Sequence, residues 1–122
     1  MTNTRHTQAE AFDHLLKTVL GWNDLTPAYA SIIQNGYATI TDIITMDNDE
    51  IDDMTYENVS VVSAVPRVQK KMLKHVLLYY KYEISQRASQ SFDASDWLTV
   101  TSDSFTNFRS NIVPKLMHGL PA

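Results

Sequence analysis

The chain contains no cysteine, which excludes disulfides, thiolate nucleophiles and cysteine-ligated zinc or iron–sulfur centres and fits a reducing compartment. It has three glycines and four prolines, few for an all-β protein that must turn every ~8–12 residues. The glycines are isolated, so none belongs to a phosphate-cradling loop or a Gly-x-Ser-x-Gly nucleophile elbow. No stretch approaches the ~18 apolar residues of a membrane span, and MTNTRHTQAEAF at the start lacks the apolar centre of a secretion signal. An intracellular, cytoplasmic protein with no membrane partner is therefore expected. Basic residues are outnumbered, ten Lys and Arg against fourteen Asp and Glu for a formal net charge of −4, which argues against a generally basic nucleic-acid binder.

What is present suits one helical domain. The 122 residues are 43 % hydrophobic and 20 % charged, enough apolar surface for a single core. Thr7 with Glu10 forms a capping-box pattern, and Phe12, Leu15, Leu16, Val19 and Leu20 recur at helical spacing until Gly21, predicting a helix over 8–20. Thr26 and Pro27 open a second helix with Ala28, Tyr29, Ile32 and Ile33 on one face, stopped by Gly36. Thr39 or Thr41 caps a short unit carrying Ile43 and Ile44, and Asp47 with Glu50 opens another with Ile51 and Met54 inward. The β-branched TITDIIT also reads as a strand, but without an evident partner strand the helix is favoured. TYENVSVVSAV is a linker, in part extended. Pro66 starts the longest helix, 66–88, with Val68, Met72, Val76, Tyr79, Tyr80 and Ile84 inward. Thr101 caps a last helix over 102–112 with Phe105, Phe108 and Ile112 on one face, and Pro114 ends it. The expected architecture is an all-α, compact single domain of five to six helices spanning 7–112, with flexible tails at 1–6 and 113–122.

The acidic run MDNDEIDDMTYE fails as a calcium loop. Counted from Asp47, Asp49 and Asp53 take the third and seventh places. The fifth, however, is Ile51, the sixth Asp52 instead of glycine, and the twelfth Asn58 instead of an acid. Asp47, Asp49, Glu50, Asp52 and Asp53 instead read as the solvated face of a short helix, with Asp49 and Glu50 suited to its N-terminal dipole. His6, His14, His75 and His118 are scattered, with no i, i+4 pair for a metal; His14 and His75 read as flanking residues of their helices. No metal, no cofactor and no catalytic constellation is expected, and the chain does not read as an enzyme. Trp22 and Trp97, each beside a helix boundary, read as plugs for the ends of the core.

On the long helix, Arg67, Lys70, Lys71, Lys74 and Lys81 fall within a sector of roughly 100°, opposite the apolar face. This basic ridge could touch phosphates, solubilise an exposed helix, or answer the acidic unit, within one molecule or between molecules. In the last case, opposite signs on different faces permit head-to-tail contact between identical copies.

GWNDLTPAYASIIQNGYATITDIITMDNDEIDDM resembles sterile-alpha-motif-like units, with Leu25, Tyr29, Ile33, Gly36, Ile43, Ile44, Asp49, Ile51 and Met54 placed as in that pattern. Followed by a long tyrosine-bearing helix and DWLTVTSDSFTNFR, with Asp96, Trp97, Thr101, Phe105, Phe108 and Arg109, it is similar to the N-terminal region of gag-like polyproteins of copia-type retroelements in diatoms and related algae. The likeness covers 12–109 and implies a structural, non-enzymatic protein that helps form particles or docks other parts of a polyprotein. It does not carry nucleic-acid packaging with it, since no zinc knuckle, protease or polymerase signature is present. The expected role is protein–protein interaction or self-assembly, the partner being protein, a second copy included, with nucleic-acid binding by the basic ridge as the alternative.

Overall fold

Helix α1 (Thr4–Asp13) passes without a break into a wide π turn, His14–Val19, closed by a 2.9 Å hydrogen bond from the Leu20 amide to the carbonyl of Leu15. The computed structural model describes residues 4–87 and 91–117, with side chains from His6 onward; of the expected tails at 1–6 and 113–122, residues 1–3 and 118–122, His118 included, lie outside the described residues. The helix starts before the predicted cap, so Thr7 and Glu10 lie inside it, and Glu10 meets His6 one turn earlier at 3.2 Å. Phe12, Leu15, Leu16, Val19 and Leu20 are buried, as their spacing predicts. Gly21, at φ 73°, makes the left-handed exit that other residues take only with strain.

Helix α2 (Pro27–Gln34) has Pro27 at its first turn and ends before Gly36, at φ 82°. Thr26 occupies the cap position, but its hydroxyl accepts from the Asn23 amide instead of from the helix. The free amide of Ala28 is satisfied from across the core by Gln69 Oε1 at 2.8 Å. Ile33, expected inward, is 46 % exposed, and Ser31 is buried instead.

TITDIIT is helical. Thr39 caps α3 (Ile40–Ile44) in a reciprocal box with Asp42, and Asp47 caps α4 (Asn48–Asp52) in the same way with Glu50. The Ala38 amide, opposed by some desolvation and helped by the Thr39 amide and hydroxyl, holds the Asp42 carboxyl below the usual range. Gln8 on α1 accepts from both the amide and the hydroxyl of Thr41, tying α1 to α3. Ile40, Ile43, Ile51 and Met54 are buried.

The expectation of an all-α fold is corrected in the segment read as a linker. Strands β1 (Thr55–Asn58) and β2 (Val61–Ala64) form an antiparallel hairpin, with Thr55 opposite Ala64 and Asn58 opposite Val61. Its two-residue turn puts both Val59 (φ 49°) and Ser60 (φ 65°) in the left-handed region. The sign is that of the tight turns matching strand twist, which ordinarily use Asn-Gly. Val59 is a β-branched residue there and is strained. Gln34 blunts the outer edge of β1: its amide donates to the Glu57 carbonyl (2.9 Å) and accepts from the Glu57 amide (2.8 Å).

Helix α5 (Arg67–Gln86) is the longest element. Leu73, Val76 and Tyr79 are buried, Met72, Tyr80 and Ile84 half-buried, while Val68, expected inward, is 68 % exposed. Its buried side meets the C-terminal third, where Asp93 and Asp96 make a further capping box for α6 (Ala94–Trp97), a helix not anticipated from the sequence. Thr101 caps α7 (Ser102–Asn107) through Ser104, and the helix runs on through a second π turn, Phe108–Ile112, into α8 (Val113–Met117). The predicted stop at Pro114 and tail from 113 are corrected: Val113 is buried, and the wide turn just before Pro114 accommodates a residue that lacks an amide and crowds the preceding turn. Tyr79 sits amid Phe92, Trp97, Phe105 and Phe108 with ring centroids 5.1–6.1 Å away. Trp22 and Trp97 are both core residues, at 7 % and 1 % exposure. One hydrophobic cluster runs from Ala11 to Val113.

Candidate interaction surface

The acidic unit and the basic ridge become neighbours because α4 packs on α5. Lys74 Nζ lies 2.6 Å from Asp52 Oδ1, and Lys70 Nζ donates to the main-chain carbonyl of Asp52 at 2.7 Å. Asp52 closes α4, so two cations from α5 meet the carbonyl end of that short helix, where its dipole favours positive charge. Both side chains of the ion pair are partly exposed, which limits the pair to roughly 0–1 kcal/mol. Its main effect is positional, seating α4 against α5.

Of the predicted ridge, then, Lys70 and Lys74 answer the acidic unit within the molecule. Arg67, Lys71 and Lys81 are exposed and make no ion pair among the described residues. Arg67, Lys70, Lys71 and Lys74 line a groove of about 470 Å³ with Val65 and Asp52 at its walls. The acidic residues divide in the same way. Asp47 and Glu50 cap α4, Glu50 also accepts from the Tyr37 hydroxyl at 3.2 Å, and Asp52 is paired. Burial and then the Glu50 partner push the Tyr37 phenol up. Asp49 and Asp53 are exposed, and their carboxylates make no hydrogen bond or ion pair among the described residues.

No protein-family model matches the chain, and neither the curated proteins nor the solved structures include one that does. The surface is therefore read on its own chemistry.

Both interior histidines have structural partners. His14 donates from Nε2 to the Val100 carbonyl at 2.6 Å, tying the first helix to the loop before α7. His75 is corrected from a flanking residue to a buried one, 8 % exposed. Its Nδ1 accepts from Arg109 Nε at 3.0 Å, which requires the neutral ring. Burial, then the charges of Arg109 and Lys71, lower its pKa. This contact was out of reach of pattern reading, since 34 residues separate its partners. Among the described residues no group of three or more His, Asp or Glu is placed to hold a metal, and no helix is long and apolar enough to cross a membrane.

Proposed function

We propose that the chain is a non-enzymatic interaction module that associates with protein, a second copy of itself included, through complementary charged surfaces. The observation that carries this reading is the division of charge: the side chains of Arg67, Lys71 and Lys81 on α5, and of Asp49 and Asp53 at α4, stand exposed with no ion pair among the described residues. A surface of one sign meeting a surface of the other is heterologous contact, which steers encounter and fixes orientation. The likeness of residues 21–54 to sterile-alpha-motif-like units, and of the longer stretch 12–109 to gag-like regions, supports the same intracellular, assembly-type role. Charge reversal tests it. Arg67→Glu with Lys71→Glu is expected to weaken self-association, and Asp49→Lys with Asp53→Lys in the same chain to restore it. Unchanged association in the first double variant would refute the reading. Lys70 and Asp52 are left intact because they hold α4 in place.

The basic groove favours a second reading, nucleic-acid binding, since four cations converge on it. Contact with several phosphates would make affinity fall by orders of magnitude between roughly 50 and 200 mM salt. A flat salt response with a labelled single-stranded oligonucleotide removes this alternative.

A further inference from the structure

The hairpin has two outer edges, and among the described residues only that of β1 is covered. With a two-residue turn, Asn58 and Val61 close the ladder as a hydrogen-bonded pair, so the main-chain groups of Glu57 on β1 and of Val62 and Ala64 on β2 point away from the partner strand. The Gln34 amide occupies both outward groups of Glu57, which agrees with this phase. The outward groups of Val62 and Ala64 meet no protein partner among the described residues. The edge is also apolar. Val61 and Val62 are 61 % and 65 % exposed, Val59 at the turn is 90 % exposed, and the run from Val61 to Val65 carries no charge. Lysine on the strand, the usual guard of an open edge, is missing.

We propose that the outer edge of β2 is a strand-addition site occupied by β2 of a second copy, antiparallel about a two-fold axis through Ser63. In that register Val62 of each copy faces Ala64 of the other, and each such pair exchanges two main-chain bonds, about four in all. The contact is isologous, so the same patch serves both molecules. Charge selects this occupant. Glu57 lies opposite Val62 near the turn, and Arg67 follows the other end of β2; antiparallel pairing lays the Arg67 end of each strand beside the Glu57 end of the other. No like charges are opposed along the new seam, where Ser63 faces Ser63 and Val62 faces Ala64. The inference goes beyond the charged surfaces on α4 and α5 and shares only Arg67 with them; its main-chain bonds and valine contacts persist at salt that screens exposed ion pairs.

Two single-cysteine variants in an otherwise cysteine-free chain read the register directly. In the proposed dimer the two Ser63 residues form a pair whose hydrogen-bonding groups point elsewhere, with Cα atoms ~4.5 Å apart, within disulfide range. Val61 faces Val65 of the second copy and has no such neighbour. Random collision favours Val61→Cys, the more exposed position. Strand pairing favours Ser63→Cys, which should oxidise to a covalent dimer on the order of tenfold faster or more, even in 0.5 M salt (about 4 Å Debye length), because pairing holds its thiols at high effective concentration. Val62→Pro removes one outward amide per copy, a change tolerated on an edge strand; added to Ser63→Cys it should slow dimer formation about thirtyfold, the effect of two lost main-chain bonds. Equal or faster cross-linking of Val61→Cys overturns the proposal. So does Val62→Pro leaving the rate unchanged; should circular dichroism show that variant unfolded, the comparison of the two cysteine variants decides alone. Failure of the charge-reversal test with Ser63→Cys still cross-linking would refute the charged surfaces and leave β2, and the reverse pattern would do the opposite.

Discussion

Truncating Tyr79 to alanine should cost more stability than any other change to a single side chain of α5. The ring is 6 % exposed and lies within 5.1–6.1 Å, centroid to centroid, of Phe92, Trp97, Phe105 and Phe108. It thereby joins the long helix to α6, α7 and the second π turn. Removing a buried aromatic costs about 3–5 kcal/mol, through lost transfer energy and the cavity left behind. Edge-to-face geometry adds about 0.5–1.5 kcal/mol per favourable pair, part of which that range already contains. A value of about 4 kcal/mol is expected, a large fraction of the ~5–15 kcal/mol that a domain of this size holds. With an unfolding entropy of about 2.1 cal/mol/K per residue, this corresponds to a Tm fall of roughly 15 °C. Tyr82→Ala is the internal comparison: Tyr82 is half-buried and meets one ring, Phe108 at 5.4 Å, and about 1 kcal/mol is expected. Urea unfolding followed by tryptophan fluorescence suits the assay, because Trp97 lies 5.8 Å from Tyr79. Equal costs for the two tyrosines, or less than about 1.5 kcal/mol for Tyr79→Ala, would show that these rings are not one packed unit. The Tyr79 hydroxyl, pushed up to about 12 by burial and then by the Glu83 charge, stays protonated throughout such measurements.

Two further predictions concern strain and pH. Replacing Val59-Ser60 by Asn-Gly should stabilise the domain by about 1 kcal/mol, since it relieves a β-branched residue at φ 49°; a Tm rise of about 4 °C is expected, and a fall would show that Val59 makes packing contacts that offset its strain. Because the folded chain keeps His75 neutral below its ordinary pKa of 6.5, the unfolded state binds more protons there. Stability should be full above about pH 6.5 and decline as pH falls below it. His75→Asn, which offers Arg109 an acceptor that does not titrate, should flatten that decline in a series of Tm values from pH 7.5 to 5; an unchanged slope would assign it to other groups. Asp42, whose pKa is lowered from 3.8, acts at more acid pH, where its stabilising contribution is lost.

Local chemistry was legible from the residues, and contacts between distant ones were not. Thr39, Asp47 and Thr101 cap helices within three residues of their partners, and the glycines at 21 and 36 have the left-handed backbone their positions imply. Asp93–Asp96 is the same device, in a segment between the two predicted helices to which the pattern assigns no element. The hairpin was missed because its turn carries Val59-Ser60 in place of Asn-Gly, and because β1 is held by Gln34, a residue on a helix. Along α5 the apolar phase was right at Val76 and Tyr79 and wrong at Val68, whose side chain faces solvent at 68 % exposure. The basic ridge was identified as a sector of the helix, but periodicity could not show that Asp52 engages Lys70 and Lys74 while Arg67 and Lys71 stay exposed. That division depends on where α4 docks.

Association itself is the most direct test of an interaction module carrying exposed charge of both signs. Molar mass by light scattering, over about a hundredfold range of protein concentration at low and moderate salt, separates the possibilities. A mass that rises with concentration and is reduced by salt is predicted, with any part that survives salt assigned to the β2 edge. A monomer mass at every concentration and at both salt levels would contradict self-association outright.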